Sequence, residues 1–480
     1  MKKTLRTLCV NFVACVALCA ATACVNAPDN NTTVTNTTTN ATSATNKNAA
    51  TPAPSPVASA PSAANLPVTL PVLDAMFSDE SFAGELKSKV GLTDEQVERL
   101  RKVAREETAT LKEGKDDDSP SGTTTAATGR ASEKIREVLG DEKAGAFTAF
   151  VRERWEGGEA GATATTASSS KPNSVPTDTR VVVNAPAYRM DVFEGGQLVK
   201  TYKIGIGYPE FPLPQGERKA QTIIFNPTWT PPDEPWVEGS SKIKAGQKVE
   251  AGSKLNPLGP IKIPIGLPSL IHGGKSIARL GTFASHGCVG LTSPQVQDFA
   301  VEFAKIGGAQ LTPEDVKAYA AKPTETKNVK LDKAVPVELR YETIVVEDGK
   351  LHIYRDVYDK GTNTEENLRA VLAAYGVTPD QLSAPERAKV TAALQEMAHD
   401  AQGKPTNDAT PAAASSNAAP NKNTAASNKN SDKSGSVTRT IKGRKEIIIE
   451  IAALKGKGYP APVNLNTGGG AQKPVAAAPK

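Results

Sequence analysis

The sequence predicts an α+β chain: a mostly β unit, a small α-helical N-terminal unit and long disordered linkers. Three observations carry this. Short β-branched runs separated by turn residues recur between Arg180 and Tyr354, the period-2 signature of strands. Apolar residues recur at helical spacing in 86–113 and 131–155. Stretches such as "NNTTVTNTTTNATSATNKN" hold too little apolar surface to fold. With 480 residues and 38% hydrophobic residues, two or three domains joined by polar linkers is the expectation.

The chain begins with Lys2, Lys3 and Arg6, followed by the apolar "LCVNFVACVALCAATA" from Leu8 to Ala23. Short for a membrane span and closed by small residues, residues 1–23 read as a signal peptide. "ATA" fits ordinary secretion. "ATAC" resembles a bacterial lipobox and would make Cys24 a lipidated first residue, a membrane anchor. An uncleaved anchor is the third reading. The formal charge is +5, and Lys2, Lys3 and Arg6 supply three of it. The remaining +2 gives no reason to expect nucleic acid as a partner.

Residues 24–70 read as a disordered tether. About 40 such residues span roughly 35 Å root-mean-square and about 130 Å when straight. Within a helical domain at 71–158, Thr93 and Gln96 form a capping-box pair. Val97, Leu100, Ala104 and Leu111 then share a face, and Ile135, Val138, Leu139, Phe147, Val151 and Trp155 repeat the pattern. The polar insert "GKDDDSPSGTTTAATG" parts the two, which predicts a small antiparallel helical unit whose "KDDD" at 115–118 is a solvated loop. The form at Leu92, Thr93 and Gln96 resembles that of periplasmic stress proteins of the Spy/CpxP type, over a few residues only.

A linker at 159–178 precedes the β-rich domain at 179–360. "RVVVNAPAYRMDVFEGGQLVKTYKIGIG" reads as strand, hairpin and strand about Gly195-Gly196. "AQTIIFNPTW", "GPIKIPIGL" and "PSLIHGG" add strands. "SPQVQDFAVEFAKIG" predicts a helix with Ser293 as N-cap and Pro294 at the first helical position. "VPVELRYETIVVEDGKLHIYRDVY" predicts a hairpin turning at Asp348-Gly349. A helical extension at 361–400 and a disordered linker at 401–436 follow. In 437–480, a short strand segment and tail, "SVTRTIKGRKEIIIEIAALKG" is compatible with one late hairpin.

Cys9, Cys15 and Cys19 leave with the signal, so Cys288 is the one thiol beyond Cys24 in an exported chain. A lone thiol in an oxidising compartment, set in "FASHGCVGL" among small residues, points to chemistry rather than core packing. A free thiol is mostly protonated at neutral pH, so a nucleophilic cysteine needs a base or a cation nearby. His272 ends a strand-like run, whereas His286 lies two residues from Cys288 along a tight bend. A histidine on an adjacent strand reaches the sulfur more easily, which assigns His272 as base and His286 as support. Gly287 permits the bend. The Cys288 N–H with a neighbouring amide is positioned by sequence to hold an oxyanion. His352 and His399 read as ordinary.

"IHGG" followed by "SHGCVGL" resembles the signature of L,D-transpeptidases with a YkuD-type catalytic domain. "NPTWTPP" from Asn226 and "NPLGP" from Asn256 agree, and the resemblance covers about 179–358. It implies a mostly β fold acting on peptidoglycan stem peptides, with Cys288 as nucleophile and His272 as proton donor and acceptor. Ser285, His286, Gly287 and Gly273 are the matching site neighbours. It implies no metal and no organic cofactor. Two departures stand out: Gly290 occupies the family's Arg position, and Leu213 the Thr position of its Thr-Pro-x-Gly segment.

Three functions fit these residues. The first is a peptidoglycan L,D-transpeptidase of the cell envelope, periplasmic and lipid-anchored, serving cell-wall biogenesis and cell shape. The second is a hydrolase of the same chemistry, an L,D-carboxypeptidase or crosslink-releasing enzyme. The third is a catalytically weak wall-binding or stress-response lipoprotein, which Gly290 favours and intact Cys288 and His272 oppose.

Overall fold

The computed structural model describes residues 65–111, 123–157, 171–232, 237, 242–266, 268–400, 403, 405 and 440–468. Residues 1–23, Cys24, the "KDDD" run and nearly all of 401–436 lie outside them. Among the described residues no helix is long and apolar enough to cross a membrane.

Five helices form the N-terminal unit: α1 (Leu70–Phe77), α2 (Glu80–Val90), α3 (Asp94–Thr110), α4 (Thr124–Leu139) and α5 (Asp141–Gly157). The expected pair of helical segments is thus too simple. Gly91 and Gly140, both at positive φ, break each segment into shorter helices. The Thr93–Gln96 capping box is present. Leu66, Val68 and Val72 are buried with Leu100, Ile135, Phe147 and Trp155, so the packed core begins inside the stretch expected as tether. Leu111 leaves that core and joins the neighbouring one. Thr124–Gly129, expected in the polar insert, open α4 instead. Thr123 caps Ala126, and Asp359, more than 200 residues away, accepts from the Thr125 N–H at 3.1 Å.

The eight-stranded sheet contains β1 (Arg180–Asn184), β2 (Arg189–Glu194), β3 (Gln197–Lys203), β5 (Gly216–Phe225), β6 (Ile261–Pro264), β7 (Leu270–His272), β9 (Val289–Gly290) and β10 (Lys327–Arg340). Their order is β3-β2-β1-β10-β5-β6-β7-β9, with β1–β10 and β7–β9 parallel and the other pairs antiparallel. Val181, Val182 and Val183 of central β1 are all buried, as expected for a strand covered on both faces. β4 (Ile206–Gly207) and β8 (Phe283–Ser285) form a parallel pair beside the sheet. Just past β3, Gly205 exchanges two 2.9 Å backbone hydrogen bonds with Gly290 of β9. The first and last strands therefore meet, and the sheet curls almost closed.

Helix α6 (Ser293–Ile306) buries Val296, Phe299, Ala300 and Phe303 in this core. Its N-cap is Thr292, not Ser293: the Thr292 hydroxyl accepts from the Gln295 N–H, and the Gln295 side chain accepts from the Thr292 N–H. This reciprocal box satisfies two backbone donors, which Ser293 would not. Helix α7 (Pro313–Ala320) follows.

β11 (Ile344–Glu347) and β12 (Lys350–Tyr354) form the Asp348-Gly349 hairpin. The preceding "VPVELR" belongs to β10 of the large sheet. β13 (Glu446–Glu450) pairs with β12, so the expected late hairpin is a single strand completing a three-stranded sheet. Its apolar residues find a preformed edge and a shared core with α8 (Glu365–Ala374) and α9 (Ala384–Met397), which no local partner supplies. His352 sits on this sheet, 2.6 Å from Glu446, and His399 contacts the Glu396 carbonyl. Beyond β13, Val463 and Asn466 bond to Thr201 and Lys203, covering the outer edge of β3.

Candidate active site

The parallel pairing of β7 with β9 builds the site. Ile271 lies opposite Val289, and both point into the core with no exposure. Side chains alternate along a strand, so Leu270 and His272 point to the other face, as do Cys288 and Gly290 opposite them. Lys262 of β6 lies opposite His272 and completes a rung of Lys262, His272 and Gly290. The structure thus brings His272 and Cys288 to one face, one rung apart. Two strands spaced about 4.8 Å and two residues of rise put their Cβ atoms roughly 8 Å apart.

His272 is buried, and its Nδ1 lies 2.8 Å from the Gly273 carbonyl. A carbonyl only accepts, so Nδ1 carries the hydrogen and Nε2 keeps its lone pair. Burial drives the His272 pKa down to about 3, and the nearby Lys275 charge adds to this, against weaker pulls from the Gly273 and Leu258 backbone. At neutral pH the ring is uncharged and able to accept a proton. Cys288 is half-buried, and burial pushes its thiol up; a backbone hydrogen bond from Leu270 and the Lys275 charge oppose this. The resting pair is accordingly neutral thiol and neutral imidazole.

Gly287, at φ +89, lets the chain turn sharply into Cys288. Its carbonyl accepts from Ser269 Oγ at 2.8 Å. Ser285 Oγ donates to the Cys288 carbonyl at 2.6 Å and accepts from the Cys288 N–H at 3.0 Å. This corrects the expectation that the Cys288 amide is an oxyanion donor, because the Ser285 hydroxyl already holds it. His286 packs edge-on against Tyr208 and Phe211, with ring centroids 5.2 and 4.7 Å away. Tyr208 accepts from Arg279 at 3.0 Å. The turn carrying these rings is braced by the helical unit, where Thr69 donates to Glu210 O and Thr124 to Pro209 O, at 2.6 and 2.8 Å. Arg218 donates to the Trp155 carbonyl at the end of α5. Leu213, in the family's Thr position, is buried, and its N–H donates to Tyr358.

"NPLGP" closes the other side. Asn256 donates to Pro227 O at 2.7 Å, and Gly259 lies so close to Gly273 and Gly274 that a Cβ there would fall 2.4 Å from the Gly274 nitrogen. Only a glycine permits that approach beside the carbonyl that orients His272. Three contributors escaped the sequence reading: Gly259, the Tyr208–Phe211 pair and Lys275. Gly290 was a usable signal for Lys275, since a missing arginine invites a search for another cation; nothing local pointed to the rings. Among the described residues no group of three or more His, Cys, Asp or Glu is placed to hold a metal.

Residues 178–307, roughly a quarter of the chain, match the family model for the L,D-transpeptidase catalytic domain. This is a YkuD domain. Solved structures similar to the chain include the catalytic domain of an Enterococcus faecium L,D-transpeptidase (15% identity, 35% of this chain and 100% of that one, TM-score 0.23). Others are L,D-transpeptidases from Mycobacterium smegmatis (16%, 34% and 58%, TM-score 0.20) and Mycobacterium tuberculosis (15%, 34% and 57%, TM-score 0.20). The chain spans about half the length of several such relatives, 49% for the Ldtfm–avibactam carbamoyl enzyme. No curated protein matches.

Proposed function

We propose that the YkuD domain is a peptidoglycan L,D-transpeptidase working through a Cys288 thioester. The observation that carries this is the pairing of β7 with β9, which sets a neutral His272, its Nδ1 tied to Gly273, on the same face as Cys288. His272 Nε2 takes the thiol proton, and Sγ attacks the carbonyl carbon of the third stem residue. The C–N bond to the terminal D-alanine breaks as His272 returns the proton to the leaving amine. The acyl group, now a thioester, passes to an amine of a neighbouring stem; the C–S bond breaks and the acceptor's proton returns through His272 to the sulfur. With the Cys288 amide held by Ser285, the Gly287 N–H is the next amide of the bend available to the oxyanion.

The chain's proposed setting rests on the sequence: a signal at 1–23, a lipid on Cys24, a tether, and a periplasmic catalytic domain reaching peptidoglycan. The deciding experiment is mass spectrometry of sacculi digested after incubation with the pure protein. New crosslinks between third stem residues support the proposal. Shortened stems without crosslinks would make the protein a hydrolase, and unchanged muropeptides with no acylated Cys288 would end the enzymatic reading.

A further inference from the structure

Gly290 stands where the family carries arginine, and the structure shows what occupies the space. A Cβ built on Gly290 would lie 2.9 Å from Lys275 Cγ, 3.1 Å from Cε and 3.5 Å from Cδ. The aliphatic stem of Lys275 therefore lies along the Gly290 backbone. Its own backbone is pinned there, because the Lys275 N–H donates to Leu291 O at 3.0 Å. Gly274, at φ +79 against Pro257 and Gly259, sets the turn that aims the chain this way. Lys275 is half-buried, and its charge is felt at both Cys288 and His272. A side chain of any size at 290 would displace it.

We propose that Lys275 is the positioning cation of this site, receiving the free carboxylate of the departing residue of a peptide donor and so holding the scissile carbonyl over Cys288. The inference rests on the acyl-transfer reading of Cys288. In such a donor that carboxylate is three bonds from the carbonyl carbon that Sγ attacks, and the Lys275 stem lies along Gly290, two residues on from Cys288 and on the same face. A flexible ammonium fits a single carboxylate as a point charge, where arginine would demand bidentate geometry.

The test compares two tetrapeptide stems, one ending in free D-alanine and one in D-alanine amide, by the rate at which each acylates Cys288 in the full chain. Wild type should prefer the carboxylate. Lys275→Met should raise KM for the carboxylate donor about 10- to 100-fold while leaving the amide donor's KM unchanged, and Lys275→Arg should restore most of the preference. Lys275→Gln serves if the methionine variant unfolds. An unchanged carboxylate-to-amide ratio in a folded Met or Gln variant overturns the proposal, as does equal loss for both donors. Calorimetric binding of the same two peptides to the Cys288→Ala protein separates the readings. If wild type forms no acyl-enzyme, the catalytic reading fails, yet a Lys275-dependent carboxylate preference in binding still supports the lysine's role, and its absence still overturns it.

Discussion

Adding one methyl at Gly290 tests the packing on which Lys275 depends. Gly290 lies outside the left-handed region and its N–H and C=O both bond to Gly205, so an L residue suits its backbone. On backbone grounds alone, Gly290→Ala should stabilise by about 0.4–1 kcal/mol through the unfolded chain. The structure predicts the opposite sign. The new Cβ would meet Lys275 Cγ at 2.9 Å, mid-stem rather than at the free end, and the whole side chain must move. Such overpacking costs about 1–3 kcal/mol, for a net loss near 1 kcal/mol and a melting point lower by about 2–4 °C. In a Lys275→Ala background the obstacle is gone, and Gly290→Ala should become neutral or stabilising. The expected coupling between the two sites is therefore about 1–3 kcal/mol, in the range of contacting residues. The assay is a double-mutant cycle by urea unfolding, with melting temperature alongside. Additivity within about 0.5 kcal/mol would refute the stated packing. Gly290→Arg follows the same logic: it should lower donor turnover alone, but recover carboxylate preference when Lys275→Ala makes room.

Cys288→Ser should abolish stem acylation with an unchanged melting profile, because a hydroxyl is far harder to deprotonate; crosslinking by the serine variant would refute the nucleophile. His272→Ala should alter the pH profile of Cys288 alkylation by iodoacetamide more than His286→Ala does, since the His286 ring is engaged by Tyr208 and Phe211; the reverse order would exchange the two roles. The His272 pKa near 3 has a sign. The unfolded ring binds a proton below about pH 6.5 and the folded ring does not until near pH 3, so stability falls as pH drops through that window, by up to about 1.4 kcal/mol per pH unit. His272→Asn should flatten this slope in urea melts between pH 7 and 4, and an equal slope in both proteins would contradict it. Cys24→Ala should release the protein from membranes, whereas equal retention would mean another attachment.

Much of the site was legible because its signals are local. A lone cysteine beside small residues, a histidine ending a strand run and the motif around them are read within some 20 residues. The hairpins at Gly195-Gly196 and Asp348-Gly349 follow from turn chemistry alone. Thr292 rather than Ser293 is the cap because Ser-Pro only imitates a helix start, while the Thr292–Gln295 box satisfies more backbone. Four helices share the two periodic segments because the breaks at Gly91 and Gly140 cost little inside a packed unit, and α1 lies ahead of both. α4 began early because a carboxylate from another domain caps it.

The sequence by itself singled out Cys288 and His272 as the candidate chemical pair, predicted buried central strands, and put the candidate nucleophile after a bend that Gly287 permits. Tertiary structure alone decided which atoms meet. The Gly205–Gly290 closure, Lys275 lying in the space Gly290 leaves, and β13 completing a distant sheet all join residues well separated in the chain. The physical reason is that propensity, periodicity and turn chemistry are properties of neighbours in sequence. Strand pairing and steric exclusion act between residues that only the packed core brings together.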